Sequence, residues 1–561
     1  MMLRRTLFAV LALGIAAGLA ALLVSALAPG GWSVTKTLLF ACFLGVAPWL
    51  GICGANALIG LLILLCARNP AHFVLPVAAD PEAGPIPAAT ALAVTIRNED
   101  MGLVLPPLRR LLAGLDAAGV GDRFALWVLS DTNDPALATA EEQAVAAFRA
   151  ADRDPARIRY RRRTGNAGFK AGNVMAFFDA DGNGFEAAVM LDADSEMSAA
   201  AVLRLLRILH ADPHLGIVQH LTVGLPAEAA FPRLFQFGMR AGMRVWATGQ
   251  AWWQGDEGPY WGHNAAVRIA AFRAHARLAP LPDGSPVLSH DQVEAARLRA
   301  AGFGVCVWAG EDGSAEKNPP ALPEFLHRDA RWLAGNLQYR HLVAAPGFRP
   351  MGRWQLLQAI LLFAGAPLYV AMLVLVAVAV ALGETAEVPG RRVAALALAW
   401  ALVLYAPKLL GYARVLLSPT ERVGYGGGRR FAAGALAEIV FTLLLDAPAQ
   451  LSKTFSLLRV LTGGRAGWAP QNRGARGVSW REAGRQFWPH TLFGCLVFAA
   501  LGSGSWGAAL WAAPFAGGLL TAIPFCVLTA DPRVSRWLRR RGVAAVPEEV
   551  ASVVLANIAA G

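Results

Sequence analysis

Apolar and polar positions divide the chain into three stretches. Residues 6–28 form an uninterrupted apolar run behind Arg4 and Arg5, and a run of about 20 residues is long enough to span a bilayer. A second span is predicted within residues 37–66, where Pro48 and several glycines permit a kink. The Ala26-Leu27-Ala28 ending of the first run also resembles a signal-peptidase site, so cleavage stands beside retention as a reading. Under either, the second span leaves the following region in the cytoplasm. Over residues 67–354 charges return and apolar runs shorten to strand length. Residues 91–96, 125–129 and 187–191 are predicted as short buried strands that run into acidic or polar tips, with helices at 108–118, 138–151 and 199–210. Strands alternating with helices imply a mostly parallel sheet, whose ligands sit at the carboxyl ends of the strands.

After Trp354 the membrane pattern resumes, with apolar spans at 355–382 and 393–417. The segment 418–430 carries Arg422, Arg429 and Arg430, and 465–485 is again rich in arginine; basic loops stay on the cytoplasmic side. Between them, 431–460 is apolar but interrupted by Asp446, Pro448 and Lys453. With both flanks inside, it is expected to cross twice as a short hairpin or to lie re-entrant at the interface. The same logic makes 491–529 a helical hairpin, because 533–541 is basic. The expected organisation is two N-terminal transmembrane helices (1–66), a cytoplasmic domain with interfacial helices (67–354), a transmembrane region of about four to six helices (355–530) and a cytoplasmic tail (531–561).

Composition agrees with that division. The 561 residues are 56% hydrophobic and 16% charged, whereas soluble proteins carry about 25% charged residues. The net charge of +12 is accounted for by basic membrane loops and by a site for an anionic substrate, so it does not call for nucleic acid. The six cysteines form no C-x-x-C pair and, Cys306 apart, lie in apolar runs, so they read as small core residues with neither a disulfide framework nor a metal cluster.

Candidate chemistry lies at the strand tips. The first ends in Asn98-Glu99-Asp100, the second in Ser130-Asp131-Thr132-Asn133-Asp134, the third in Asp192-Ala193-Asp194. On extended backbone residues i and i+2 point the same way, so two carboxylates can approach one divalent ion bridging a diphosphate. D-x-D alone is more often a solvated turn, but here it follows an apolar strand. The run Arg161-Arg162-Arg163-Thr164-Gly165-Asn166-Ala167-Gly168-Phe169-Lys170-Ala171-Gly172-Asn173 suits close backbone approach to a nucleotide diphosphate, or is an ordinary basic turn. Leu288-Ser289-His290-Asp291 reads first as a helix cap, and equally supplies a carboxylate able to take a proton from a sugar hydroxyl. His327-Arg328-Asp329-Ala330-Arg331-Trp332 is an interfacial anchor or a flat wall for a sugar ring. Trp246, Trp252, Trp253, Tyr260 and Trp261 are core, an aromatic belt, or a track for a glycan.

These four elements, in this order and between membrane spans, resemble the D, D-x-D, (T/E)-D, Q-x-x-R-W pattern of the processive inverting family-two glycosyltransferases, which include cellulose and hyaluronan synthases. A closer resemblance, over nearly the whole chain, is to the glucosyltransferases of osmoregulated periplasmic glucan synthesis. It is carried by residues 130–135, 164–173, 191–198, 262–268, 289–291 and 329–339, and by Trp-x-x-Gln-x-Arg then Ser-Trp over 468–480. The resemblance implies an α/β nucleotide-sugar transferase domain, GT-A-like, inserted between the helices of a polytopic inner-membrane protein. It implies UDP-glucose as donor, a β-1,2-glucan as product exported to the periplasm, and Mg²⁺ or Mn²⁺ as cofactor. A cellulose- or hyaluronan-like synthase and a lipid-phosphate glycosyltransferase are the alternatives. Carried over, Asp291 is the general base; Asn98, Glu99, Asp131, Lys170, Asp192 and Arg331 bind the donor; Trp332, Arg328, His263 and Asn264 bound the acceptor; Asp194, with Asp192, holds the metal. Acyl carrier protein and a periplasmic glucan-processing protein are implied partners. Arg328 departs from the pattern, standing where it has Gln, and Arg97 makes the first tip unusually basic.

Overall fold

The computed structural model describes residues 1–464 and 474–552. In chain order its strands are β1 (Thr90–Ile96), β2 (Phe124–Ser130), β3 (Ile158–Arg162), β4 (Ala187–Asp192), β5 (Glu196–Met197), β6 (Leu215–His220), β7 (Val223–Gly224), β8 (Ala265–Arg268), β9 (Gly304–Trp308) and β10 (Ser314–Glu316). Seven of them form one sheet in the order β3-β2-β1-β4-β8-β6-β9, and β5-β10-β7 form a small second one. The three strands expected from the sequence are β1, β2 and β4, with the helices Met101–Ala117, Pro135–Ala150 and Ala199–Ala211 between and after them. Asp134 caps the second helix through Ala136 N and Leu137 N, and Ser198 caps the third through Ala201 N, satisfying donors that a helix start leaves open.

The sheet is apolar on both faces because it is covered on both. Leu92, Val94, Leu126, Val128, Val189 and Leu191 face one core with Leu108 and Leu205. Their neighbours Ala91, Ala93, Trp127, Leu129, Ala188 and Met190 face another with Phe177, Phe178 and Phe272, the two-residue alternation of a strand. The sheet is mostly parallel, as expected, with one exception: β8 runs antiparallel to both β4 and β6. β8 is four residues long and follows a 25-residue helix, Ala230–Gln254, so no β-α-β pattern marks its direction.

Among the described residues, five helices are long and apolar enough to cross a membrane: Met2–Leu27, Val34–Cys66, Pro350–Ala381, Gly428–Leu461 and Trp480–Gly504. Two bent pairs, Gly390–Leu404 with Ala406–Leu417 (74°) and Trp506–Leu520 with Ala522–Ala530 (60°), raise the number to seven. The first helix is built into the fold. Phe8 stacks on Trp253 at 4.0 Å, and Arg5 pairs with Glu257 of the α/β domain at 2.5 Å, so the amino end lies on the domain's side. The basic C-terminal segments lie there too: Arg476 pairs with Glu324 at 2.6 Å, and Glu549 with Arg233 at 2.7 Å.

Two further expectations change. Residues 431–460 do not form a hairpin; they belong to the single helix Gly428–Leu461. Both of its ends pack on helices of the domain, Phe431 against Phe237 and Leu457 with Leu333 and Leu337. The cysteines are not uniformly core: Cys53, Cys306 and Cys526 are buried, whereas Cys66 and Cys495 are exposed on apolar helices.

Candidate active site

β2, β1 and β4 are parallel neighbours whose register sets Ser130 beside Ile96 and Thr95 beside Asp192. Asp131 and Asp192 therefore leave the same end of the sheet two strand spacings apart, about 10 Å. Asp131 is 7% exposed and receives two parallel hydrogen bonds from Arg163, Nε to Oδ1 and Nη2 to Oδ2, both 2.8 Å. The same guanidinium donates to Ala167 O and Phe169 O at 3.1 Å. The basic glycine-spaced loop is thus tied to the β2 tip through Asp131, and Gly168, at φ +69°, turns it into the helix Phe169–Ala180. Glu141, missed in the sequence, lies beneath this tip. It is 1% exposed and accepts from Ser130 Oγ at 2.7 Å, from Tyr160 OH at 3.1 Å and from Thr132 Oγ1.

Lys170, in the first turn of that helix, reaches across to the third tip. Its Nζ bonds Asp192 Oδ1 and donates to Gly262 O at 2.7 Å. The D-x-D geometry differs from the extended one expected. β4 stops at Asp192, and Ser195 N donates to Asp192 O at 3.0 Å, so Asp194 stands in a turn. Ser195 Oγ accepts from Asp192 N at 2.9 Å, a side-chain bond that stabilises such turns. The turn, not strand alternation, relates the two carboxylates.

Gly262 forms the floor, and its φ of +83° is open to glycine at little cost. A Cβ built there lies 3.5 Å from Asp291 Cβ, 3.6 Å from His290 Cε1 and 3.8 Å from Lys170 Nζ. Asp291 and the Lys170–Asp192 pair thereby converge on one point. Asp291 is the first residue of the helix Asp291–Ala300; the capping position falls on His290, which makes no side-chain cap bond. Burial raises the Asp291 carboxyl above the usual carboxylate range, against the opposing His290 charge. His290 bonds Glu294 at 2.8 Å. Burial disfavours its protonation, but the carboxylates of Glu294 and Asp291 outweigh that and raise its pKa.

His263 Nδ1 meets Trp261 O at 3.1 Å, and its Nε2 lies 2.9 Å from Glu316 Oε2. Burial opposes its charge, yet the adjacent Glu316 carboxylate, with that of Asp192, raises its pKa to about 9. Arg328 packs over Trp332 at 4.5 Å from the ring centroid, with Phe325 and Phe235 at 5.5 and 5.8 Å. Burial lowers the Arg328 pKa, partly offset by the carboxylates of Asp329, Glu316 and Asp194. Trp332 keeps 47% of its surface exposed. Arg331 is half-buried, close enough to His327 to add to the lowering of its pKa that burial begins.

Two residues expected in direct contact with substrate are bonded to neighbouring elements. Asn264, fully buried, donates through Nδ2 to Ser314 Oγ at 3.0 Å and clamps the main sheet to the small one. Asn98, at φ +55°, bonds Asn133 Oδ1 at 2.9 Å and Thr132 Oγ1 at 2.7 Å, fastening the β1 tip to the β2 tip. Glu99 is half-buried beside it. Of the aromatics, Trp253 is stacked on Phe8, Trp252 lies under Arg4, Trp246 packs on Trp49 and Tyr260 is closed in the core, the core and belt readings. The Trp-x-x-Gln-x-Arg motif, 468–473, lies outside the described residues. Among the described residues no three His, Cys, Asp or Glu are arranged as a metal cage. The Asp192 and Asp194 pair fits a hard divalent ion that also takes substrate phosphates, which needs one or two protein carboxylates.

Comparison with known proteins follows the same lines. The family model for Glycosyl transferase family group 2 matches residues 188–412. Glucans biosynthesis glucosyltransferase H of Xanthomonas campestris pv. campestris is 34% identical over 558 residues, covering 94% of this chain and 84% of that protein. The protein of the same name from Caulobacter vibrioides is 33% identical over 570 residues, covering 94% and 82%. A mannosyltransferase from Pyrobaculum calidifontis, solved with GDP-Man and Mn²⁺, covers 68% of this chain and 99% of its own, at 16% identity and a TM-score of 0.43. The family match, the mixed sheet and the flanking apolar helices give the GT-A-like class of membrane glycosyltransferase.

Proposed function

The chain belongs to the glucans biosynthesis glucosyltransferase H family, and from that membership we propose that it polymerises glucose from UDP-glucose into a linear β-1,2-glucan and passes it across the bacterial inner membrane. The α/β domain then lies in the cytoplasm, the side to which arginine-rich loops are held. The observation that supports this most is the convergence of Asp291 and the Lys170–Asp192 pair on Gly262. It sets a candidate base and a diphosphate-binding cation on one reaction volume.

In this reading the uridine end rests at the β2 tip, held by Asp131 and Arg163 over the buried Glu141. Lys170 and the Arg163-to-Lys170 loop take the diphosphate. Asp192 and Asp194 would hold Mg²⁺ or Mn²⁺, which would supply positive charge beside the donor diphosphate. Trp332 and Arg328 wall the acceptor side. Asp291 removes the proton of the acceptor hydroxyl, which attacks the anomeric carbon as UDP leaves from the opposite face. One in-line displacement turns an α-linked donor into a β-linked product.

The test is purified protein in detergent or nanodiscs with UDP-glucose and Mg²⁺, read by UDP release and by linkage analysis of the glucan. Release of UDP with a β-1,2-linked polymer supports the proposal. Transfer from another nucleotide sugar only, or a product with another linkage, overturns it.

A further inference from the structure

The helix Pro532–Arg540 follows the bent apolar pair ending at Ala530 after a single residue, Asp531, whose carboxylate caps it through Arg533 N. It begins where the chain leaves its last apolar helix. Its two faces differ in kind. Ser535 and Leu538 are buried. Leu538 joins the apolar cluster of Phe237 and Phe525, and Ser535 Oγ accepts from Ala230 N at 2.9 Å. Just beyond the helix, Val543 O accepts from Arg233 Nε at 2.7 Å. The segment is thus fastened to the first turns of the long helix Ala230–Gln254. With about 3.6 residues per turn, Arg533, Arg536, Trp537 and Arg540 fall at i, i+3, i+4 and i+7 and form the opposite face. All four are exposed, Trp537 by 51%, and Arg541 lies 5.0 Å over the Trp537 ring. Arg539, at the flank, pairs with Glu228 at 3.3 Å, whereas among the described residues no carboxylate pairs with Arg533, Arg536 or Arg540. The start of the apolar helix Trp480–Gly504 repeats the pattern and joins the same cluster through Ala483 and Phe487. There Arg481, Arg485 and Trp488 are exposed at i, i+4 and i+7.

We propose that the face formed by Arg533, Arg536, Trp537 and Arg540 is a docking surface for anionic phospholipid headgroups of the leaflet on the domain's side, and that it seats the helix Ala230–Gln254 against the bilayer. Charge complementarity selects this partner, because unpaired basic residues next to a membrane helix are drawn to an anionic lipid surface. The exposed Trp537 among them fits the same place, since an indole with one apolar and one polar edge settles at the headgroup level. An acidic protein satisfies the arginines equally well. It leaves unexplained why the face starts one residue from an apolar helix and why a second basic and aromatic row opens Trp480–Gly504.

The test needs no sugar donor, so its result is independent of the activity proposed above. Full-length protein is placed in nanodiscs of phosphatidylcholine, with and without phosphatidylglycerol, and hydrogen exchange of the segment 532–541 is followed by mass spectrometry. Phosphatidylglycerol is expected to slow exchange there at least about three-fold, because a partner that binds the closed helix lowers the population of its open form. Arg536→Gln combined with Arg540→Gln is expected to abolish the difference. Salt at about 1 M, which screens charges beyond about 3 Å, is expected to do the same. Equal exchange in the two lipids, or a lipid effect that survives either the double variant or the salt, overturns the proposal. Soluble polyglutamate that slows exchange in phosphatidylcholine nanodiscs as much as phosphatidylglycerol does also overturns it, and assigns the face to an acidic protein. Both arginines are exposed, so their loss leaves the packing intact; should the double variant not fold, the salt comparison on the wild type decides by the same criteria.

Discussion

Replacing Asp291 by Asn separates catalysis from stability, and the structure gives a sign to each. Loss of a general base costs about 10²–10⁴ in rate, or about 3–5 kcal/mol of transition-state stabilisation at 1.36 kcal/mol per decade. Stability moves the other way. Asp291 begins a helix, where its charge gains about 0.3–1 kcal/mol from the dipole, but burial outweighs this and raises its pKa. The folded state therefore holds the proton more tightly than the unfolded one, whose value is about 3.9. The stabilising contribution is complete below that value and is lost as pH rises through the folded pKa. At neutral pH the protein carries this carboxylate at a net cost, which Asn, of the same shape, removes. Turnover of Asp291→Asn, measured as UDP release, should drop at least about a hundred-fold, with UDP binding kept. Its melting temperature should equal or exceed that of the wild type at pH 7, the difference vanishing near pH 4. Turnover within about ten-fold of wild type would falsify the base assignment. A lower melting temperature at pH 7 would mean that the carboxylate is a stabilising helix-start residue.

Three other outcomes follow from the geometry. Arg163→Met strands a carboxylate of 7% exposure; breaking such a buried pair costs about 3–5 kcal/mol, read as a fall in melting temperature that Asp131→Asn in the same chain partly restores. A loss below about 1 kcal/mol would mean the pair behaves as a solvated one. Gly249→Leu should destabilise by at least about 1–3 kcal/mol, because a Cβ there falls 2.2 Å from Asn56 O where two helices touch; Gly14→Ala, with nothing within 4 Å, is the neutral control, and equal effects would contradict the close helix contact. Chelation should stop UDP release and added Mg²⁺ or Mn²⁺ restore it, with Asp194→Asn raising the half-saturating metal concentration about ten-fold or more; activity indifferent to chelator would remove the metal from the reading.

What the sequence displayed was whatever its local pattern encodes. β1, β2 and β4 and their polar tips were legible because a short apolar run ending in Asp or Asn is visible without knowing the fold. The partners of those tips were not, since Arg163 on Asp131 and Lys170 on Asp192 span 32 and 22 residues. Glu316 gave no local signal, because β10 exists only through its pairing with β5 and β7. The helix Gly428–Leu461 shows the same limit from the other side. Asp446 and Lys453 read as a break, yet Tyr405 OH donates to Asp446 Oδ2 at 2.6 Å, and Lys453 pairs with Asp329 at 3.2 Å. Partnered polar groups are tolerated in an apolar helix, and those partners lie elsewhere in the chain, Asp329 on the helix Leu322–Gln338 and Tyr405 at the break between Gly390–Leu404 and Ala406–Leu417.

That Lys453–Asp329 pair also bears on how chemistry and membrane are joined. The helix Leu322–Gln338 carries Arg328, Arg331 and Trp332, and the same helix seats Leu333 and Leu337 against Leu457 and Phe363 of the apolar helices. Asp329, adjacent to Arg328 in sequence, is 6% exposed and tied to Lys453, and Glu324, one turn earlier, to Arg476. A helix of 17 residues fixes its side chains relative to one another, because each turn is closed by backbone hydrogen bonds. The wall of the active site cannot shift against the D-x-D carboxylates without dragging its contacts on Gly428–Leu461, and the reverse holds equally. Packed interfaces of this kind transmit displacement rather than absorb it. The side of the site that carries Arg328 and Trp332 is thus mechanically part of the apolar helices, whereas the carboxylates at the tips of β1, β2 and β4 belong to the sheet.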